Sequence, residues 1–354
     1  MEAYVNYLEK NYLTPQQYVL NKFQTHDVIL LGENHAVKDN LEFVISIIPK
    51  LYENGIYNLG MEFGAAEDQD DLDRLITSEE YDENEARGLM YNYNVKWAYK
   101  EYTDVYKAAW KLNKSLPKDA VKFRVLNLSY VYNWSAFSRI RTPINAKKIF
   151  HKGNTEIYRA NIIEKEVLNK GQKLLVLTGI VHAFTRYKSP VYDHNAEHFY
   201  HLQGGWLGNR LYEKYGNRIF SILLHQGLQN INTLVLSNTS GVKTIEAIMN
   251  NLKNKSAGFD LVNSIMGDIR DDSYYSIGYN DFSLKDLFDG YIFIKPLKSL
   301  QGCSIDHKYI QGKKYDEIID KYPDKDWSPI PVNEKEYWEK VSEYVNMSKR
   351  YFID

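Results

Sequence analysis

Two histidines stand in the same short setting, Gly32-Glu33-Asn34-His35 and Gly179-Ile180-Val181-His182, and each pattern closes an apolar run. A second carboxylate, Glu62, lies between Met61 and Phe63 in the stretch Gly60–Gly64. There a charge is costly to bury unless it is paired. Two carboxylates and two imidazoles on one rim have two chemistries open to them. As a general base oriented by a carboxylate, His35 would activate water against a carbonyl carbon. As ligands, His35, Glu62 and His182 would hold a divalent ion such as zinc or manganese, whose bound water attacks. The Gly-x-x-His spacing alone is a weak signal, and its weight comes from the apolar run before each instance. The plainer alternatives are strand-end histidines bonded to backbone, a structural ion pair at Glu62 and a helix cap at Glu33.

The elements that must position these residues are legible as short β-rich runs. They are expected at 27–32, 57–63, 122–129, 173–180, 219–226 and 290–297, each bounded by polar or turn residues. Helical patterns lie between them. The stretch 40–55 sets Leu41, Val44, Ile45 and Ile48 on one stripe, contains Pro49 and stops at Gly55, and 156–171 stops at Gly171. Strand alternating with helix predicts an α/β fold with a mostly parallel central sheet flanked by helices. Ligands then bind outside the carboxyl ends of the strands, where Glu33, His35, Glu62, Asn127, Ser129, His182 and His225 would emerge. Polar helical segments near 66–120 and 240–280 are expected as insertions forming a lid over that edge. Residues 1–309 are read as a single domain and 310–354 as a peripheral appendage.

Composition narrows the function classes. The 354 residues are 44% hydrophobic and 25% charged with a formal charge of −2, which argues against a nucleic-acid face. One cysteine, Cys303, leaves no disulfide framework or multi-cysteine metal site. The first residues do not read as a signal peptide, and no run is long enough to span a membrane, so a cytoplasmic location is expected. Nothing in the sequence speaks to oligomeric state. Thirty tyrosines are scattered along the chain. A second histidine set, His194, His198 and His201, would share a face if helical, although no strand leads into it.

Four stretches carry a resemblance to a known family. They are "ILLGENHAVKDNLEFVISIIPKL", "NLGMEFG", "IYRANIIEKEVLNKGQKLLVLTGIVHAF" and "GGWLGNRLYEKYGNRIFSILLHQG". In this order the chain resembles the haem-binding-uptake/Tiki superfamily, which includes ChaN-like, TraB/Tiki-type and erythromycin-esterase-like proteins. The resemblance implies a site made from Glu33, His35, Glu62, His182 and the helix arginine Arg159. Departures are Ala160, where the family often has an acidic residue, and the less acidic third-strand end "LNLSY". An arginine there would clamp an anion or a developing oxyanion. The expected function is hydrolysis of an ester or amide bond, or a related acyl transfer, on a small-molecule or peptide substrate, with or without a divalent metal. The rival is a binding protein for haem or another flat ligand, with Tyr130, Tyr132 and Tyr187 as candidate ligands or stacking faces. A third possibility is a member of the family with no turnover.

Overall fold

The structure is a computed structural model that describes residues 1–140, 142–193, 196, 198–233, 235–323, 325 and 329–351. All six expected runs form strands, and with a seventh they make a mostly parallel central sheet flanked by helices. The strands are β1 (Val28–Glu33), β2 (Asn58–Ala65), β3 (Arg124–Ser129), β4 (Leu174–Gly179), β5 (Ile219–Leu224), β6 (Ala257–Asp260) and β7 (Gly290–Phe293). The chain falls into two compact units, each discontinuous in sequence.

The first unit comprises Met1–His35, Leu175–Gln301 and residues 347–354. Its strands lie in the order β6-β7-β5-β1-β4. β1 runs parallel to β5, with Val28 opposite Ile219 and Gly32 opposite Leu223. β7 is parallel to β5, and β6 is antiparallel to β7. Every residue of β1, β4 and β5 is buried. Strands covered on both faces cannot alternate apolar with polar, which is why these runs are continuously apolar.

The seventh strand, β6, falls inside a stretch read from sequence as helical. The helix Ser240–Asn251 is present there, but Ala257–Asp260 pairs along the sheet edge. Four residues containing Gly258 are too short to show a strand period. A side chain at Gly258 would drive into Tyr18, whose Cβ and ring carbons lie 2.4–2.6 Å from where a Cβ would stand.

The second unit comprises Ala36–Leu174 and Gly302–Asn346. Here β2 runs parallel to β3, with Asn58 opposite Arg124 and Met61 opposite Asn127. The register then shifts between Met61 and Ala65, so Glu62 sits in a local irregularity of the ladder. Such irregularities re-aim a side chain at a strand end. The helix Lys38–Glu53 keeps Pro49 inside it and stops before Gly55, whose φ of +77° is a left-handed conformation that favours glycine. The 66–120 stretch carries the helices Gln69–Thr77, Glu83–Tyr93 and Lys100–Ser115. Among the described residues no helix is long and apolar enough to cross a membrane.

Candidate active site

In the first unit, β1 ends on Glu33 and the chain turns at once, so Glu33 and His35 meet two residues apart. Glu33 Oε1 lies 3.2 Å from His35 Nδ1, with the Glu33 side chain fully buried and that of His35 26% exposed. The turn between them is pinned by its neighbours. Asn34 Nδ2 donates to the Gly227 carbonyl at 3.2 Å and lies 3.4 Å from the Tyr351 hydroxyl. Arg350 Nη1 donates to the His35 carbonyl at 2.5 Å. Tyr351 is itself buried. Nothing in the polar composition of 347–351 points to that contact.

His182 occupies the short turn of helix Ile180–Ala183 after β4, half-buried, with its ring at 76° and 5.8 Å from Trp206. The two Gly-x-x-His ends approach each other through their flanks. A Cβ at Gly32 would stand 3.3 Å from Ala183 Cβ and 2.8 Å from the Phe288 ring. The glycine of the first pattern is therefore required by close packing against the residue after His182.

His225, at the end of β5, is fully buried in a different network. Its Nδ1 lies 2.6 Å from the Tyr291 hydroxyl and its Nε2 3.5 Å from Glu246 Oε1. Burial lowers the His225 pKa against the opposing pull of Glu246. Burial would raise that of Glu246, but hydrogen bonds from His225, the Leu297 amide and Asn238 bring it below the usual glutamate value. Glu246 and Tyr291 carry no sequence signal beyond lying in a helix and a strand.

In the second unit Glu62 and Arg159 come together at 3.0 Å, both buried. Arg159 also gives Nη1 to Glu156 at 3.2 Å, and Nε and Nη2 to Ser129 Oγ at 3.1 and 3.0 Å. Ser129 in turn donates to the Glu62 carbonyl at 2.7 Å. Burial opposes the charge on Arg159, but Glu62, with Tyr132, Tyr93 and Glu156, holds its pKa above the ordinary arginine value. Expected as a clamp for a substrate anion, Arg159 gives its guanidinium instead to carboxylates of its own unit. Glu156 was legible in principle, since i and i+3 share a helix face.

The donor sets do not favour a metal. Among the described residues no three His, Cys, Asp or Glu side chains group where they would hold an ion. Glu62, one of the three expected ligands, is taken up by a guanidinium. The second histidine set is not helical: His198 and His201 lie on the strand His198–Gln203, paired antiparallel with Ser189–Asp193, while His194 lies outside the described residues. The ladder shifts register between them, and His198 and His201 stand opposite Asp193 and Val191 of the partner strand.

An open, mostly parallel sheet flanked by helices defines the class: an α/β fold. The resemblance to the haem-binding-uptake/Tiki superfamily is borne out. Residues 19–118 match the family model described as "Haem-binding uptake, Tiki superfamily, ChaN". No curated protein matches the sequence significantly. Among solved structures, a succinoglycan biosynthesis protein is 13% identical with a TM-score of 0.54, covering 83% of this chain and 96% of its own. A mutant of erythromycin esterase EreC in its open conformation is 10% identical with a TM-score of 0.54, covering 81% and 94%. The ChaN protein of Campylobacter jejuni, described with cofacially bound haem, is 16% identical over 60% of this chain and 87% of its own, with a TM-score of 0.38. The first two likenesses show a shared fold.

Proposed function

We propose that the first unit carries a histidine–carboxylate acid–base site that hydrolyses an ester or amide bond, or catalyses a related acyl transfer. The substrate would be a small molecule or a peptide. The observation that carries this reading is the 3.2 Å contact between Glu33 and His35, with the carboxylate behind the imidazole and the imidazole partly exposed. A carboxylate on Nδ1 makes Nε2 the basic nitrogen. His35 then takes a proton from water as the oxygen adds to the carbonyl carbon, and returns it to the leaving alcohol or amine as that bond breaks. His182 is assigned as donor to the carbonyl oxygen, which becomes an oxyanion in the addition step. Glu62 and Arg159 are assigned as positioning residues that fix the strand ends of the second unit.

The fold shared with an erythromycin esterase is consistent with this reading. The test is a panel of chromogenic esters and anilides with the wild-type protein, His35→Ala and His182→Ala. Loss of general-base catalysis in His35→Ala should lower turnover about 10²- to 10⁴-fold. Equal rates in wild type and both variants would reject the site.

A second reading, binding of haem or another flat ligand without turnover, is supported by the description of the matching family model. Two of the three candidate tyrosines do not fit it. The buried hydroxyls of Tyr130 and Tyr187 donate to the carbonyls of Gly153 and Tyr275, at 2.5 and 2.8 Å. A Soret band that saturates on titration with haem would favour this reading over hydrolysis.

A further inference from the structure

At the carboxyl end of β3 the second unit holds a cavity of about 260 Å³, walled by Tyr93, Tyr132 and Trp134 with Asn92, Asn133 and His151 among the polar groups. It is smaller than the roughly 300–1,000 Å³ of sites for drug-sized molecules, so it suits a single ring. We propose that this cavity binds one neutral pyranose ring, a hexose or hexosamine unit free or within a glycoside. The inference goes beyond the acid–base reading and does not rest on it.

Three observations select that ligand class. The first is the angle between the walls. Tyr93 and Tyr132 stand at 54° with centroids 6.2 Å apart, and Tyr132 and Trp134 at 77° and 6.0 Å. Sandwiching a flat aromatic ligand takes two parallel faces roughly 7 Å apart, twice a stacking contact of about 3.5 Å. These faces are inclined to one another and make a corner, not a slot. A pyranose needs only one of them, against which its C–H face packs.

Charge is the second. An aromatic corner also suits a quaternary ammonium when a free carboxylate stands beside it. Here the Glu67 carboxylate at the rim is held by Lys152 at 2.5 Å, and the Lys321 ammonium also lines the cavity. A cationic guest would meet repulsion and no free counter-charge.

The third is the inventory of uncommitted neutral groups. Among the described residues neither the Asn133 amide nor the Trp134 indole N–H has a hydrogen-bond partner. His151 uses Nδ1 on the Ile149 carbonyl at 3.4 Å, which leaves Nε2. Asn92 donates Nδ2 to Asp68 at 2.7 Å and keeps its amide oxygen. Neutral donors and acceptors beside aromatic rings match the hydroxyls of a sugar ring.

The experiment is calorimetry and saturation-transfer NMR on the full chain with glucose, galactose, mannose and N-acetylglucosamine, beside indole, adenosine and choline. At least one sugar should bind with a Kd on the order of millimolar, as expected for so few heavy atoms. Trp134→Ala should weaken it at least tenfold and Asn133→Ala severalfold, while Trp134→Phe retains most of the affinity. Asn133 is exposed, so its variant is expected to fold and keeps the test valid if Trp134→Ala does not. Failure of every sugar to bind below 10 mM, binding only of indole, adenosine or choline, or sugar binding untouched by both alanine variants would each overturn the proposal.

Discussion

Arg159 Nη2 lies 3.0 Å from Glu62 Oε1, and both side chains are almost wholly removed from water. Removing the guanidinium takes the arginine counter-charge away from the buried carboxylates of Glu62 and Glu156. The expected cost of Arg159→Met is about 3–5 kcal/mol of stability. The double variant Arg159→Met with Glu62→Gln should recover part of it, because one stranded charge goes with its partner. Denaturant unfolding of the two variants checks this. A cost below about 1 kcal/mol for Arg159→Met would mean that the pair is solvated.

Gly32 faces the Phe288 ring and Ala183 with no room for a methyl group. Gly32→Ala should therefore destabilise the first unit by about 1–3 kcal/mol, as overpacked cores do. The same change displaces Glu33 by way of its neighbour, so turnover should fall as well. Unfolding midpoints and rates measured on the same preparation would separate the two effects.

The buried pair His225 and Glu246 predicts an acid-sensitive first unit. The folded-state pKa of His225 lies below its ordinary value of 6.5, so below that pH the unfolded chain takes up the proton first and stability falls. Glu246, depressed below 4.5, contributes stability above that value that is lost as pH falls through its folded pKa. Both act in one direction. The melting temperature should decline as pH drops from about 7 to about 4, and His225→Gln should flatten the upper part of that decline. An unchanged profile in the variant would show that His225 does not titrate there.

Arg350 reaches the His35 carbonyl from the other end of the chain. Arg350→Ala should lower turnover by about ten- to a hundredfold through loosened placement of His35, with KM little changed. A change confined to KM would point to a substrate contact for Arg350 instead.

What the sequence disclosed follows from the range over which each signal acts. Strands buried on both faces are continuous apolar runs, so six were legible, whereas the short edge strand Ala257–Asp260 has no such run. Glu33 and His35 lie two residues apart at the end of a strand, so their meeting needs only a turn. Glu62 and Arg159 are far apart in sequence; the resemblance implied one site holding both, but their pairing with each other leaves no local pattern. The contacts of Arg350 and Tyr351 with the Asn34–His35 turn depend on the path of the whole chain and leave no local trace. The histidines at 198 and 201 could suggest a helix face only while their segment was taken as helical, and the hairpin removes that spacing argument.

The central claim is that Glu33 holds the His35 imidazole with Nδ1 protonated and Nε2 basic. Long-range proton–nitrogen NMR of the imidazole side chains at neutral pH, with His35 assigned from His35→Gln, reads that tautomer directly. The account predicts an Nδ1–H tautomer for His35 in the wild type, lost or mixed in Glu33→Gln. An Nε2–H tautomer in the wild type, or a signal indifferent to Glu33→Gln, would contradict it.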